Sequence, residues 1–206
     1  MNAVITSYRN LKGDKSIWLI VFLLSILSLL AVYSSTGSIA FKDRGGNTEF
    51  YLIKQAIFVG LGIFLTWVSY RLHYMKYMKL APILLAITIP LLLYTLFFGA
   101  DINQARRWIV IPWIDISFQT SDLAKIALIM FVARSLATKQ EFIKDFKQAF
   151  LPIILPILLI CALIAPMDLS TAALLFVTCL LMMFVGRISL RFVFMLGLAG
   201  AAVIAL

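Results

Sequence analysis

Six apolar runs of near bilayer-spanning length, and the beginning of a seventh, constrain this chain more than anything else in it. They cover about residues 17–35, 52–70, 81–98, 120–137, 149–165 and 169–186, with the seventh over 192–206. A helix needs roughly 20 apolar residues to cross membrane hydrocarbon. Inside lipid no water is available to the backbone, so a spanning segment must satisfy its own N–H and C=O groups as a helix or a closed barrel. The runs lack the short apolar/polar alternation of barrel strands. The expected fold class is therefore all-α: a polytopic transmembrane helical bundle, forming a single membrane domain over 1–206. With 63% hydrophobic and 13% charged residues and a mean hydropathy of +1.04, the chain has about half the charge that a soluble surface normally carries.

The formal charge of +9 implies no nucleic-acid partner, because that needs basic residues clustered on a water-exposed domain. Its distribution is a topology signal. With the N-terminus on the cytoplasmic side, the inner segments hold Arg9, Lys12 and Lys15, then Arg71, Lys76 and Lys79, then Arg134, Lys139, Lys144 and Lys147, then Arg187 and Arg191. That is 12 of the 18 basic residues. Lys42, Arg44, Lys54, Arg106 and Arg107 fall outside, where Asp43, Glu49, Asp101, Asp115 and Asp168 cancel them. The positive-inside rule thus predicts an N-in orientation.

The first run is longer than a signal-peptide core and is followed by further spans, so it reads as a retained anchor. Cys161 and Cys179 lie in apolar segments as small packing residues, with neither disulfide nor metal spacing. His73 has no second ligand nearby and is assigned no role. Pro90, Pro152 and Pro156 interrupt spans and predict kinks, which neighbouring helices or water can satisfy. There is no fixed-period repeat and no inverted pair of broken helices. The run from 192 to 206 is short of a span and stops without a polar flank, so the chain reads as the front part of a longer polytopic protein.

Within this apolar background the stretch "INQARRWIVIPWIDISFQTSDLAKIALIM", residues 102–130, gathers charge. Residues 99–119 are expected to form an outer loop lying against the membrane, with Trp108 and Trp113 at headgroup level. Thr120 or Ser121 is placed to cap the fourth helix. Asp122 then falls in its first turn, where a carboxylate meets the positive end of the helix dipole. Lys125, three residues on, shares its face, and an ion pair or a water-filled cavity would lower the cost of an ammonium at that depth. The bland readings are definite: Lys125 can snorkel to the boundary, Arg106 and Arg107 can meet lipid phosphates, and Asp168 can be a solvated turn carboxylate ahead of a helix. The sharper one is a substrate-binding cavity open to the outer leaflet, in which Arg106, Arg107, Asp122, Lys125 and Asp168 face an anionic lipid and the guanidinium groups grip a diphosphate or carboxylate.

"INQARRWI" and "FQTSDLAKIALIMFVAR" resemble the signature region of the SEDS family (shape, elongation, division and sporulation proteins), whose pattern runs Asn-Gly-Ala-Arg-Arg-Trp and then Phe-Gln-Pro-Ser-Glu-Leu-Ala-Lys. "LAVYSST" and "PMDLSTAALLFVT" look like further landmarks of the family. The chain departs at Gln104 for Gly, Thr120 for Pro and Asp122 for Glu, and over Met167 to Ser170 against Gln-Pro-Asp-Leu-Gly-Thr. The charge pattern survives all of these.

The resemblance implies a bacterial inner-membrane glycosyltransferase of about ten spans that polymerises lipid II into peptidoglycan strands. Its partners would be a class B penicillin-binding protein and other division proteins, and the first loop and second span look closer to the division branch than to the elongation branch. It further implies a catalytic aspartate in a large outer loop beyond Leu206, so no catalytic residue is assigned within this chain and the chain by itself is expected to be inactive. Asp168 matches the family's motif aspartate and is read as structural or substrate-positioning. Sequence implies no cofactor; a divalent cation is a candidate aid to the diphosphate. A lipid II flippase or other transporter, which would need a polar path reaching the cytoplasmic side, and a non-catalytic divisome scaffold, which would need no buried Lys125, are the alternative classes.

Overall fold

The computed structural model describes residues 14–36, 48–102, 105–111 and 116–205. Arg9, Lys12, Lys42, Asp43, Arg44, Gln104, Trp113 and Asp115 lie outside the described residues. Among the described residues there are seven α-helices: α1 Lys15–Ser35, α2 Thr48–Arg71, α3 Tyr74–Phe98, α4 Thr120–Thr138, α5 Leu151–Ile164, α6 Leu169–Val185 and α7 Leu190–Ala205. Among the described residues, four helical stretches are long and apolar enough to cross a membrane: Ser16–Ser35, Tyr51–Arg71, Tyr74–Phe98 and Phe146–Ile164. The molecule is a helical, multi-pass membrane protein.

The chain forms two compact units, Met1–Leu72 and His73–Leu206. In the first, α1 and α2 pair through a hydrogen bond from Gln55 Nε2 to Ser28 Oγ at 2.9 Å and an edge-on contact of Trp18 with Tyr70. Asp14 caps α1 by accepting from the Ser16 N–H at 2.8 Å. In the second unit α4 packs on α3, α5 and α6. The interior is a seam of Leu92, Leu128, Val132, Ile153, Ile157, Ile160, Ile164 and Leu175, all essentially without exposed surface. The spacing of those isoleucines along α5 keeps them on one helical stripe. Where polar residues enter the seam they bond backward along their own helix: Thr88 donates to the Leu84 carbonyl at 2.6 Å and Thr95 to the Leu91 carbonyl at 2.8 Å. Neither hydroxyl is left unsatisfied in a medium without water.

One local feature differs from the sequence expectation. The outer loop is not irregular: β1 Ala100–Ile102, β2 Ala105–Ile111 and β3 Ile116–Gln119 form an antiparallel sheet in the order β1-β2-β3. Asp101 stands opposite Arg106 in the register, and Trp108 opposite Gln119. The β-branched and aromatic content of "WIVI" and "ISF" suits a pleated surface, and pairing satisfies the backbone groups that a loop on the membrane would leave open. Pro152, expected to interrupt a span, lies inside the stretch Phe146–Ile164 and in the first turn of α5, where the helix changes from π to α geometry. A π-helical turn, Phe146–Phe150, leads into it, with the Leu151 N–H donating to the Phe146 carbonyl. Pro90 and Pro156 lie within α3 and α5, as does Pro82 of α3, which the apolar pattern did not single out.

Candidate functional site

The end of the second unit that carries the sheet is where most of the candidate residues fall. Strand β3 runs straight into α4: Gln119, extended at φ −89° and ψ 112°, is the N-cap residue and contributes no side-chain cap. Thr120 and Ser121 were the expected caps, and neither acts as one. The helix begins one residue earlier than a Thr120 cap would require and two earlier than a Ser121 cap would, because the last strand residue itself supplies the non-helical backbone of a cap. Ser121 Oγ instead accepts from Gln119 Nε2 at 2.7 Å. The Thr120 hydroxyl is buried and has no partner among the described residues.

Asp122 lies in the first turn of α4, and its carboxylate holds Lys125 Nζ at 2.7 Å. The i,i+3 spacing places both on one face. Lys125 is 31% and Asp122 57% exposed at the side chain, so the ammonium is partly sheltered between the carboxylate and the helix surface while the carboxylate opens outward. In water such a pair contributes little.

Asp168 is the N-cap of α6, accepting from the Thr171 N–H at 3.1 Å and the Thr171 hydroxyl at 2.7 Å. The two bonds, both donated by Thr171, fix the orientation of the carboxylate. Thr171 was not singled out from the sequence; the signal that was there is Asp168 itself, an N-cap residue type directly ahead of an apolar run. Arg106 and Arg107 lie on β2 next to Trp108; their side chains are outside the described residues. β2 packs against both α3 and α4, so the backbone brings the arginine pair to the same end as Asp122 and Lys125.

Two apolar hollows lie elsewhere in this unit. One of about 250 Å³ sits among α5, α6 and α7, with Cys161, Phe176 and Gly200 on its wall. The other, of about 400 Å³, lies between α4 and α6 beside Leu136, Thr178 and Gly186. Neither is lined by the five charged candidates, and no group of three or more His, Cys, Asp or Glu among the described residues is arranged to hold a metal ion.

The chain resembles FtsW proteins named as probable peptidoglycan glycosyltransferases. It is 32% identical to that of Wigglesworthia glossinidia brevipalpis over 90% of this chain and 49% of the relative. It is 34% identical to that of Geobacter metallireducens over 87% of this chain and 48% of the relative. The chain thus spans about half the length of the curated relatives it matches. Its fold is similar to the rod shape determining protein RodA of Thermus thermophilus, with a TM-score of 0.63 at 24% identity over 87% of this chain and 58% of that one. A chain in a structure described as a peptidoglycan synthase complex that coordinates polymerization and crosslinking matches equally, with a TM-score of 0.63 and 24% identity over 88% of this chain and 52% of that one. The model of the FtsW/RodA/SpoVE cell cycle proteins matches residues 14–206, and the chain belongs to that family.

Proposed function

We propose that the protein carrying this chain is a peptidoglycan glycosyltransferase that polymerises lipid II in the bacterial cytoplasmic membrane, in the division branch of its family and beside a class B penicillin-binding protein. The observation that carries this reading is the identity of about a third to FtsW proteins across nearly all of this chain. The orientation is N-terminus cytoplasmic, supported by the basic bias of alternate loops, which makes the sheet end periplasmic.

Glycan extension needs a base to take the proton of the acceptor hydroxyl and cations to stabilise the departing diphosphate as charge builds on it. In this reading the base comes from beyond residue 206. This chain contributes the receiving surface: Arg106 and Arg107 on β2 meet the diphosphate, Lys125 with Asp122 sets the charge at the start of α4, and Asp168 fixes the start of α6. The short reach of the Asp122–Lys125 pair supports a positioning role, because a cation already held by a carboxylate keeps its place when substrate leaves.

The test uses full-length protein and its penicillin-binding partner in liposomes with fluorescent lipid II. Wild type should extend glycan strands, and Lys125→Ala or Arg106→Ala should depress the rate at least tenfold with normal folding, as judged by gel filtration. Polymerisation at wild-type rate in both variants would remove these residues from the site. Translocation of lipid II without polymer would replace the glycosyltransferase reading with a transporter.

A further inference from the structure

The opposite end of the second unit carries a cationic and aromatic surface that the proposed chemistry does not use. Two segments far apart in sequence meet there. Phe146, in the π turn before α5, lies 5.3 Å from Phe192 near the start of α7, and Phe150 lies 4.8 Å from the same ring. This cluster draws the α4–α5 connection to the α6–α7 connection, and with them Lys144 and Lys147 to Arg187 and Arg191. All four cations are exposed, and none has an ion-pair partner among the described residues.

The neighbouring charges are otherwise engaged or outnumbered. Lys139 Nζ donates to the Gln148 carbonyl at 2.9 Å and pins the connection. Asp145 accepts from the Lys147 and Gln148 N–H groups as the cap, and with Glu141 it sets two carboxylates against Lys144, Lys147, Arg187 and Arg191. Glu141 remains as the one exposed carboxylate of this connection without a hydrogen bond among the described residues. Depth is set by the apolar segments. Lys147 follows Phe146, the first residue of a stretch able to cross a membrane; Arg187 stands two residues past the end of α6, and Arg191 is the second residue of α7. Beside them Phe142 is 55% and Phe146 45% exposed.

We propose that this surface docks anionic phospholipid, with Lys144, Lys147, Arg187 and Arg191 holding phosphate headgroups around the Phe146–Phe150–Phe192 cluster. Exposed rings interleaved with unpaired cations at the end of spanning helices match a bilayer interface, where rings enter the acyl boundary and cations meet phosphate. A water-borne acidic peptide gives no reason for the rings to be open. Bound lipid would bridge two connections that share no salt bridge, tying α5 to α7.

The test is competition binding of fluorescent phosphatidylglycerol to full-length protein in mixed micelles, with unlabelled phosphatidylglycerol or phosphatidylcholine as competitor. Wild type should prefer phosphatidylglycerol, less so at high salt. Preference should fall about fivefold for each cation removed, through Lys144→Gln with Lys147→Gln and then Arg187→Gln with Arg191→Gln. The pair Lys144→Arg and Lys147→Arg should retain it. If the fourfold variant does not stay monodisperse, the two double variants carry the measurement. Equal competition by both lipids, or unchanged preference in the glutamine variants, overturns the proposal, as does wild-type protein that ignores phosphatidylglycerol and binds an acidic peptide.

Discussion

Along α1, Ile17, Phe22, Leu24, Leu27 and Leu30 keep half or more of their surface open, whereas along α5, Ile153, Ile157, Ile160 and Ile164 are sealed against neighbours. α1, and α5 together with the π turn before it, are each long and apolar enough to cross a membrane. The contrast between the α1–α2 hairpin and the α3–α7 unit shows that apolarity reports the solvent, while burial reports the partners. In lipid an open leucine costs nothing, so helices are held by close packing and by scarce polar bonds instead of by escape from water. The second unit has the packing. The first is joined by an interhelical side-chain bond, Gln55 to Ser28.

That contrast can be broken by truncating one side chain in each unit and following thermal unfolding in detergent. Ile160→Ala should cost about 2 kcal/mol, the low end for a buried isoleucine because lipid in place of water removes much of the transfer contribution and leaves the cavity. Leu24→Ala on α1 should leave the midpoint unchanged; equal losses would mean that α1 is packed as tightly as α5. Glycines give a second, smaller contrast. A Cβ on Gly186 would stand 2.8 Å from Leu136 Cδ2 and 3.1 Å from the Met182 carbonyl, while one on Gly60 would meet nothing within 4 Å. Gly186→Ala should therefore destabilise by about 1.5 kcal/mol through overpacking, and Gly60→Ala should be neutral or slightly stabilising.

Helix termini sharpen the comparison further. Asp168→Ala removes the α6 cap and should cost about 1 kcal/mol, with Asp168→Asn retaining most of it; an alanine variant of wild-type stability would mean that the carboxylate is held for chemistry alone. Smallest of all is Gln55→Leu, which removes the α1–α2 bond and should cost about 0.6 kcal/mol, read as a lower midpoint for loss of the hairpin. No change there would assign the hairpin's cohesion to packing such as Trp18 on Tyr70.

What was legible in the sequence follows the range of the forces involved. The i,i+3 spacing of Asp122 and Lys125 predicts a shared face, and the pair closes at 2.7 Å, because helix geometry alone brings such residues together. The cap of α4 was not legible. Whether Thr120, Ser121 or Gln119 takes that place depends on where β3 stops pairing with β2, and a strand of four residues is defined by its neighbour as much as by its own composition. The sheet escaped notice for the same reason. The capping of α6 by Asp168 and Thr171 was local and open to reading from four consecutive residues.

By itself the sequence determined the solvent and the fold class: a chain whose apolar runs approach the thickness of a bilayer must close its backbone hydrogen bonds within each run, and helices do that. Its motif residues also determined the family. Only the tertiary structure decided which apolar faces became interior, that a π turn would precede Pro152, and that Phe146 and Phe192 would bring two cationic connections together. Those outcomes turn on contacts between segments distant in the chain, and lipid, which rewards no apolar face over another, supplies no pattern from which to read them.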